Sequence, residues 1–232
     1  MPTGDTEPLT LRVGSAETVS ALLLRPPRAQ ACYVFAHGAG AGMGHAFMAA
    51  FAVGLAAREV ATLRYQFPFM EKGGRRPDPP AFAHATVRAA VEEAGRRLPG
   101  LPLFAGGKSF GGRMSSQTQA KQPLPGVRGL VFIGFPLHPA GKPSLERAAH
   151  LTQVEVPMLF LQGTRDELAQ AELIAATVAS LGPLATLGMF DDADHAFHVR
   201  ARSGSNDAAL REAMLDAMVV WIATRVSPPA AA

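Results

Sequence analysis

Short apolar runs ending near glycine or proline alternate along this chain with stretches of helical length, and few architectures accept that pattern. "TVSALLLRP", "CYVFAHG", "VATLRY", "LPLFAGG", "VRGLVFIGF", "PMLFLQG" and "ATLGMF" read as strands. Between them lie "HAFMAAFAVGLAAREV", where Phe47, Phe51 and Leu55 share a helical face, "AFAHATVRAAVEEAGRRLPG", stopped by Pro99 and Gly100, and a segment from about Ser109 to Lys121. "ELAQAELIAATVASLG" and "NDAALREAMLDAMVVWIATRV" complete the helices. Near-continuous apolar strands must be covered on both faces. The expectation is therefore an α/β fold, a mostly parallel central sheet with helices on both sides. In such sheets ligands bind beyond the carboxyl ends of the strands, so the loops there are where chemistry belongs.

Length and charge narrow the function classes. The chain has 232 residues and no linker or repeat, which fits a single domain over 1–226 followed by a disordered tail, 227–232. A net charge of +3 without a run of five like charges gives no footprint for nucleic acid. No run approaches the roughly 18 apolar residues of a membrane span, and "MPTGDTEPLT" does not read as a signal peptide. A lone cysteine, Cys32, cannot close an internal disulfide and suits a reducing, cytoplasmic setting.

"LFAGGKSFGGR" (103–113) contains two overlapping motifs. A Walker loop, G-x-x-x-x-G-K-[ST], requires glycine at 102, where Pro102 stands, and the strand leaves no loop to wrap a phosphate. The G-x-S-x-G elbow needs no adjustment: a strand ends, the chain turns at Ser109 between Gly107 and Gly111, and a helix begins. "HGAGAGMGH" (37–45) also joins a strand to a helix, but Met43 and His45 occupy the places where a dinucleotide fingerprint needs its third glycine. It reads instead as an oxyanion loop. The Ala39 N–H, next to Gly40, and the Phe110 N–H would face the nucleophile, with His37 bracing the loop rather than acting as a base.

A serine nucleophile needs a base and a group to orient it. "TRDE" places Asp166 after one strand, and "DDADHAFH" places His195 after the next. His198 is the fallback base, and Asp191, Asp192 and Asp194 are fallback acids. His195 and His198 have no third ligand at metal-binding spacing, so neither a metal nor a cofactor is expected. Gly40 and Lys108 flank the nucleophile region as candidate substrate contacts. In "QFPFMEKGGRRPDPP", Phe67, Phe69 and Met70 offer an apolar wall, and Arg75 and Arg76 a site for an anionic substrate group. Between Phe135 and Pro157 there is room for one short helix, "SLERAAHL", and no cap domain.

With "FAHGAG", "GGKSFGGRM", "LQGTRDE" and "DADHAFH" in this order, the chain resembles the α/β-hydrolase superfamily over nearly its whole length. Its size resembles the dienelactone-hydrolase-like branch. "LRYQFPFMEKGGRRPDPP" together with "GGKSFGGRM" resembles more narrowly the KANL/Tex-type family of small, largely uncharacterised hydrolases. The resemblance implies a serine triad at Ser109, Asp166 and His195 and settles no substrate; the complete set of roles points to hydrolysis of an ester or related acyl bond in a small molecule. It leaves a second reading, a catalytically weak interaction module on the same fold, since some relatives are non-enzymatic parts of complexes. Dienelactone hydrolases proper usually carry cysteine as nucleophile, so their substrate does not follow from Ser109.

Overall fold

The computed structural model describes residues 4–15 and 17–226; the expected tail at 227–232 lies outside them. Eight strands form one sheet: β1 (Thr6–Val13), β2 (Glu17–Leu24), β3 (Ala31–Ala36), β4 (Val60–Tyr65), β5 (Leu103–Lys108), β6 (Val127–Ile133), β7 (Met158–Gly163) and β8 (Ala185–Phe190). The helices are α1 (Ala46–Ala56), α2 (Pro68–Glu71), α3 (Pro80–Arg97), α4 (Phe110–Lys121), α5 (Ala171–Ser180) and α6 (Asp207–Val226). The sheet order is β1-β2-β4-β3-β5-β6-β7-β8. β2 pairs antiparallel with β1 and β4, and the other pairings are parallel.

Strand periodicity divides the core in two. Cys32, Val34 and Ala36 point to the face covered by α3, α4 and α5, where Val87, Val91, Met114 and Ile174 pack. Ala31, Tyr33 and Phe35 point to the face covered by α1 and α6, against Phe51, Leu55, Met214 and Trp221. β3 to β6 are buried on both faces, which explains their unbroken apolar runs. β1 was not anticipated from the sequence. It is an edge strand whose burial alternates only from Leu9 onward, and "TEPLTLRV" carries a proline and charges that blunt the strand signal.

The strand order also fixes where a ligand can sit. The chain leaves β3 toward β4 on one side, then crosses back so that β5 lies on the other side of β3. The loops after β3 and β5 therefore diverge and open a crevice at the carboxyl ends of these two strands. The β6–β7 connection holds a single 3₁₀ helix, Glu146–Gln153, and no cap domain. The short helix expected there is displaced slightly toward the C-terminus and wound more tightly.

Close backbone approach at the centre of the sheet demands glycine. Gly106 has φ +146°, and a Cβ there would lie 1.9 Å from the Val131 carbonyl oxygen. Gly106→Ala is expected to cost on the order of 3 kcal/mol or more in urea unfolding. Gly44→Ala, where a Cβ meets nothing within 4 Å, should shift stability by less than about 1 kcal/mol. Equal effects would show that the approach at Gly106 relaxes freely.

Candidate active site

Ser109 sits between β5 and α4 at φ 50° and ψ −114°, outside the comfortable range of a residue with a side chain. Such a backbone costs on the order of 1–3 kcal/mol and persists only where its surroundings force it. Here the force is steric. A Cβ on Gly107 would lie 2.3 Å from the Ala36 oxygen, and one on Gly111 would lie 2.6 Å from the oxygens of Ala36 and His37. The first turn of α4 thus presses against the end of β3, and the serine is held out of the turn at a helix N-terminus.

The Ser109 hydroxyl lies 2.8 Å from His195 Nε2, and His195 Nδ1 lies 2.7 Å from Asp166 Oδ2. Asp166 is buried and accepts two further bonds, from Gln162 Nε2 at 2.6 Å and from the Leu168 N–H at 2.8 Å. Gln162 in turn takes the Phe135 N–H at 2.9 Å on its oxygen. This fixes the carboxylate and, through it, the imidazole tautomer with Nδ1 protonated and Nε2 facing the serine. Gln162 did not emerge from the sequence as a site residue. Its one signal is a polar side chain inside the otherwise apolar strand "MLFLQG".

The fallback groups hold other partners, although His198 and Asp207 line the same cavity as Ser109. His198 is exposed and paired with Asp207, which raises its pKa. Asp192 pairs with Arg200. Asp194 shapes the histidine loop by accepting the N–H groups of Ala196 and His198 on one oxygen, 2.8 and 2.9 Å away. A second serine–histidine pair, Ser116 and His150 at 2.7 Å, lies further along α4. Ser116 is buried within the helix and also donates to the Arg113 carbonyl, and no described carboxylate bonds the His150 ring.

The loop after β3 lies over Ser109: a Cβ on Gly38 would sit 3.7 Å from Ser109 Cβ. Among the described residues, the N–H groups of Ala39 and Phe110 donate to no protein acceptor, which leaves both available to a ligand oxygen. His37 is wholly buried. Its Nδ1 lies 2.7 Å from the Gly38 oxygen, and its Nε2 accepts the Phe67 N–H at 3.0 Å. It braces the loop as the sequence suggested.

A cavity of about 630 Å³ opens beside Ser109. Gly40, Lys108, Phe47, Met48, Phe197 and Met214 contribute to its mainly apolar wall. Lys108 donates to the His195 carbonyl oxygen and lies 4.9 Å from the Phe197 ring centre. Burial lowers its pKa to about 8, against the opposing pull of Asp166 and Asp194.

The "QFPFMEKGGRRPDPP" loop requires correction. Phe67 and Phe69 are buried and pack on His37 and Phe110, so they support the oxyanion loop from behind instead of lining the cavity. Met70 joins the same core. Glu71 bonds the Ser20 N–H and hydroxyl, and Lys72 pairs with Glu17, which ties the loop to β2. Arg75 and Arg76 are exposed and absent from the cavity wall. Phe47, Met48 and Met214 of the cavity wall come instead from α1 and α6, whose apolar residues look like ordinary core in sequence.

Residues 29–223 match the family model of the alpha/beta hydrolase domain. The fold is similar to that of a dienelactone hydrolase from Anabaena variabilis, with a TM-score of 0.77 at 19% identity over 97% of this chain and 100% of that one. It is also similar to an α/β serine hydrolase without a lid from Xanthomonas campestris, with a TM-score of 0.72 at 21% identity, covering 100% and 99%. A serine hydrolase homologue from Coxiella burnetii gives 0.72 at 20% identity, covering 93% and 96%. At these identities the likeness speaks for the fold.

Burial lowers the pKa of His37 from 6.5 to about 4. Between these values the unfolded chain takes up a proton that the folded chain refuses. The corresponding stability is therefore present above pH 6.5 and drains away as pH falls toward 4, by roughly 3 kcal/mol at most. His150, lowered to about 4 mainly by burial, adds a loss of the same sign. Urea unfolding at pH 7 and pH 4.5 should show a smaller acid-induced loss in His37→Gln than in the unaltered chain. An identical loss would mean that His37 is protonated at no cost.

Proposed function

Because this chain belongs to the alpha/beta hydrolase domain family and aligns a serine, an imidazole and a carboxylate at one elbow, we propose that it is a serine hydrolase of ester bonds, carboxylesterase- or thioesterase-like. The observation that carries this reading is His195 bridging Ser109 and Asp166 at 2.8 and 2.7 Å. Ser109 Oγ attacks the substrate carbonyl while His195 Nε2 takes its proton. Asp166 keeps the imidazole oriented and stabilises its protonated form. The carbonyl oxygen, now negative, receives the N–H groups of Ala39 and Phe110. His195 then returns the proton to the departing alcohol or thiol, and a water repeats the sequence to free the acid.

The cavity supports a small-molecule ester with an apolar acyl or alcohol portion, seated against Phe47, Phe197 and Met214. Gly40 and Lys108 are proposed to contact it. No described helix is long and apolar enough to cross a membrane. A cytoplasmic setting is proposed because the lone cysteine, Cys32, is a buried free thiol, which suits a reducing compartment. A weakly active interaction module has no comparable observation in its favour.

Labelling with a fluorophosphonate, followed by location of the adduct, should mark Ser109; modification confined to any other residue would remove the mechanism. Ser109→Ala should abolish hydrolysis of an activated ester, a loss on the order of 10³-fold or more, with the fold intact. Asp166→Asn should cost on the order of 10²- to 10⁴-fold through the wrong tautomer, and Asp194→Asn far less. The reverse ranking would transfer the orienting role to Asp194.

Without a cap, activity should also rise smoothly with substrate concentration through the point at which a sparingly soluble ester aggregates. An abrupt jump there would indicate a closing element.

A further inference from the structure

We propose that the cleft between α4 and the β6–β7 connection binds a phosphomonoester, an organic phosphate whose charged group meets Arg113, Lys142 and Arg147. The cleft has a volume of about 630 Å³ and shares no lining residue with the cavity beside Ser109. Its floor comes from Arg113 and Gln117 on α4, and its walls from the segment that a cap domain would otherwise occupy.

Charge is the first reason. Three cations converge here against one carboxylate, Glu146. Among the described residues none of these four forms an ion pair, whereas Arg58, Arg97 and Arg200 each hold a carboxylate. Two of the cations oppose one another: after burial, the charge of Arg147 is the next cause holding the Arg113 pKa down. An arrangement of repelling cations gains from an anion that bridges them.

Buried polar atoms are the second reason. Arg113 Nε and His138 Nε2 are both buried and without a hydrogen-bond partner, a costly state for either group. His138 is 1% exposed and belongs to the cleft wall. Its Nδ1 lies 2.9 Å from the Pro139 carbonyl oxygen, so Nδ1–H is the donor and Nε2 carries a lone pair. That lone pair can accept a hydroxyl of the organic portion, while Arg113 Nε–H donates to a phosphate oxygen.

The size of the charge selects phosphate over carboxylate. Three cations less one acid leave +2, matched by the roughly −1.5 to −2 of a phosphomonoester near neutral pH. Its three terminal oxygens suit donors arriving from three segments: α4, the loop at Lys142 and the 3₁₀ helix at Arg147. A carboxylate offers two oxygens and half the charge. The cleft exceeds a phosphate group in volume, and Leu137, Pro139 and Pro143 give the remainder an apolar surface. This points to a phosphorylated organic molecule rather than the free ion.

Titration calorimetry of the full chain with phenyl phosphate, inorganic phosphate and benzoate tests this. Phenyl phosphate should bind most tightly, at least about tenfold above benzoate, and its affinity should fall with added salt. A Lys142→Met/Arg147→Met variant should lose phenyl phosphate binding by at least about tenfold and keep its hydrolysis of a neutral ester. Both positions lie away from the core, so this variant should fold. Binding of phenyl phosphate no tighter than that of inorganic phosphate or benzoate, or binding unchanged in the variant, overturns the proposal. Because neither outcome depends on Ser109, failure here leaves the catalytic reading untouched.

Discussion

The end of β5 and the first turn of α4 run so close to the end of β3 that no side chain fits between them, and most of the site's geometry follows from this contact. Gly107 and Gly111 face the oxygens of Ala36 and His37 at distances a methyl group could not occupy. The approach brings the β3 loop over the start of α4 and holds Ser109 at φ 50°. One packing constraint therefore sets a strained hydroxyl at a helix N-terminus beneath the β3 loop. Loosening it would disperse the proposed nucleophile and oxyanion donors together.

Around that point the protein replaces water with fixed partners. His37 is kept neutral by burial and bound at both nitrogens, so it works as a strut between the oxyanion loop and Phe67. Asp166 is held from three directions, and its partner Gln162 is anchored to Phe135. Lys108 points past the nucleophile to the His195 carbonyl, with Phe197 beside its amine. The hydrogen-bonded chain Ser109–His195–Asp166, held in this way, would lose little orientation freedom in the proposed reaction.

The absence of a cap has a further consequence for the β6–β7 connection. With only a 3₁₀ helix to build, this segment packs on α4 and leaves a second cleft beside that helix, lined by Arg113 and Gln117. Arg113 joins the two regions: its backbone N–H bonds the Ser109 carbonyl at 3.2 Å, and its guanidinium lies 5.9 Å from the Phe110 ring centre. A group bound in the cleft would thus contact the helix turn that carries the proposed oxyanion donor.

The sequence by itself determined the layer order, the elbow and the succession Ser109, Asp166, His195, because each is written in local terms: apolar periodicity, small residues at a tight turn, and polar residues just beyond a buried strand. It even carried a trace of Gln162. Only the tertiary structure decided which surfaces meet. Phe47 and Met214 read as core on their own helices, and they become cavity wall because α1 and α6 cover the same face of the sheet. The loop at Phe67–Arg76 emerges at the right edge yet turns its aromatics inward, since His37 and Phe110 offer them a buried surface and Glu17 and Ser20 tie the loop to β2. β1 was hidden for the same reason, as an edge strand gains its order from pairing with β2 rather than from its own pattern. Local propensity fixes where the chain turns, whereas side-chain destinations depend on contacts between segments far apart in sequence.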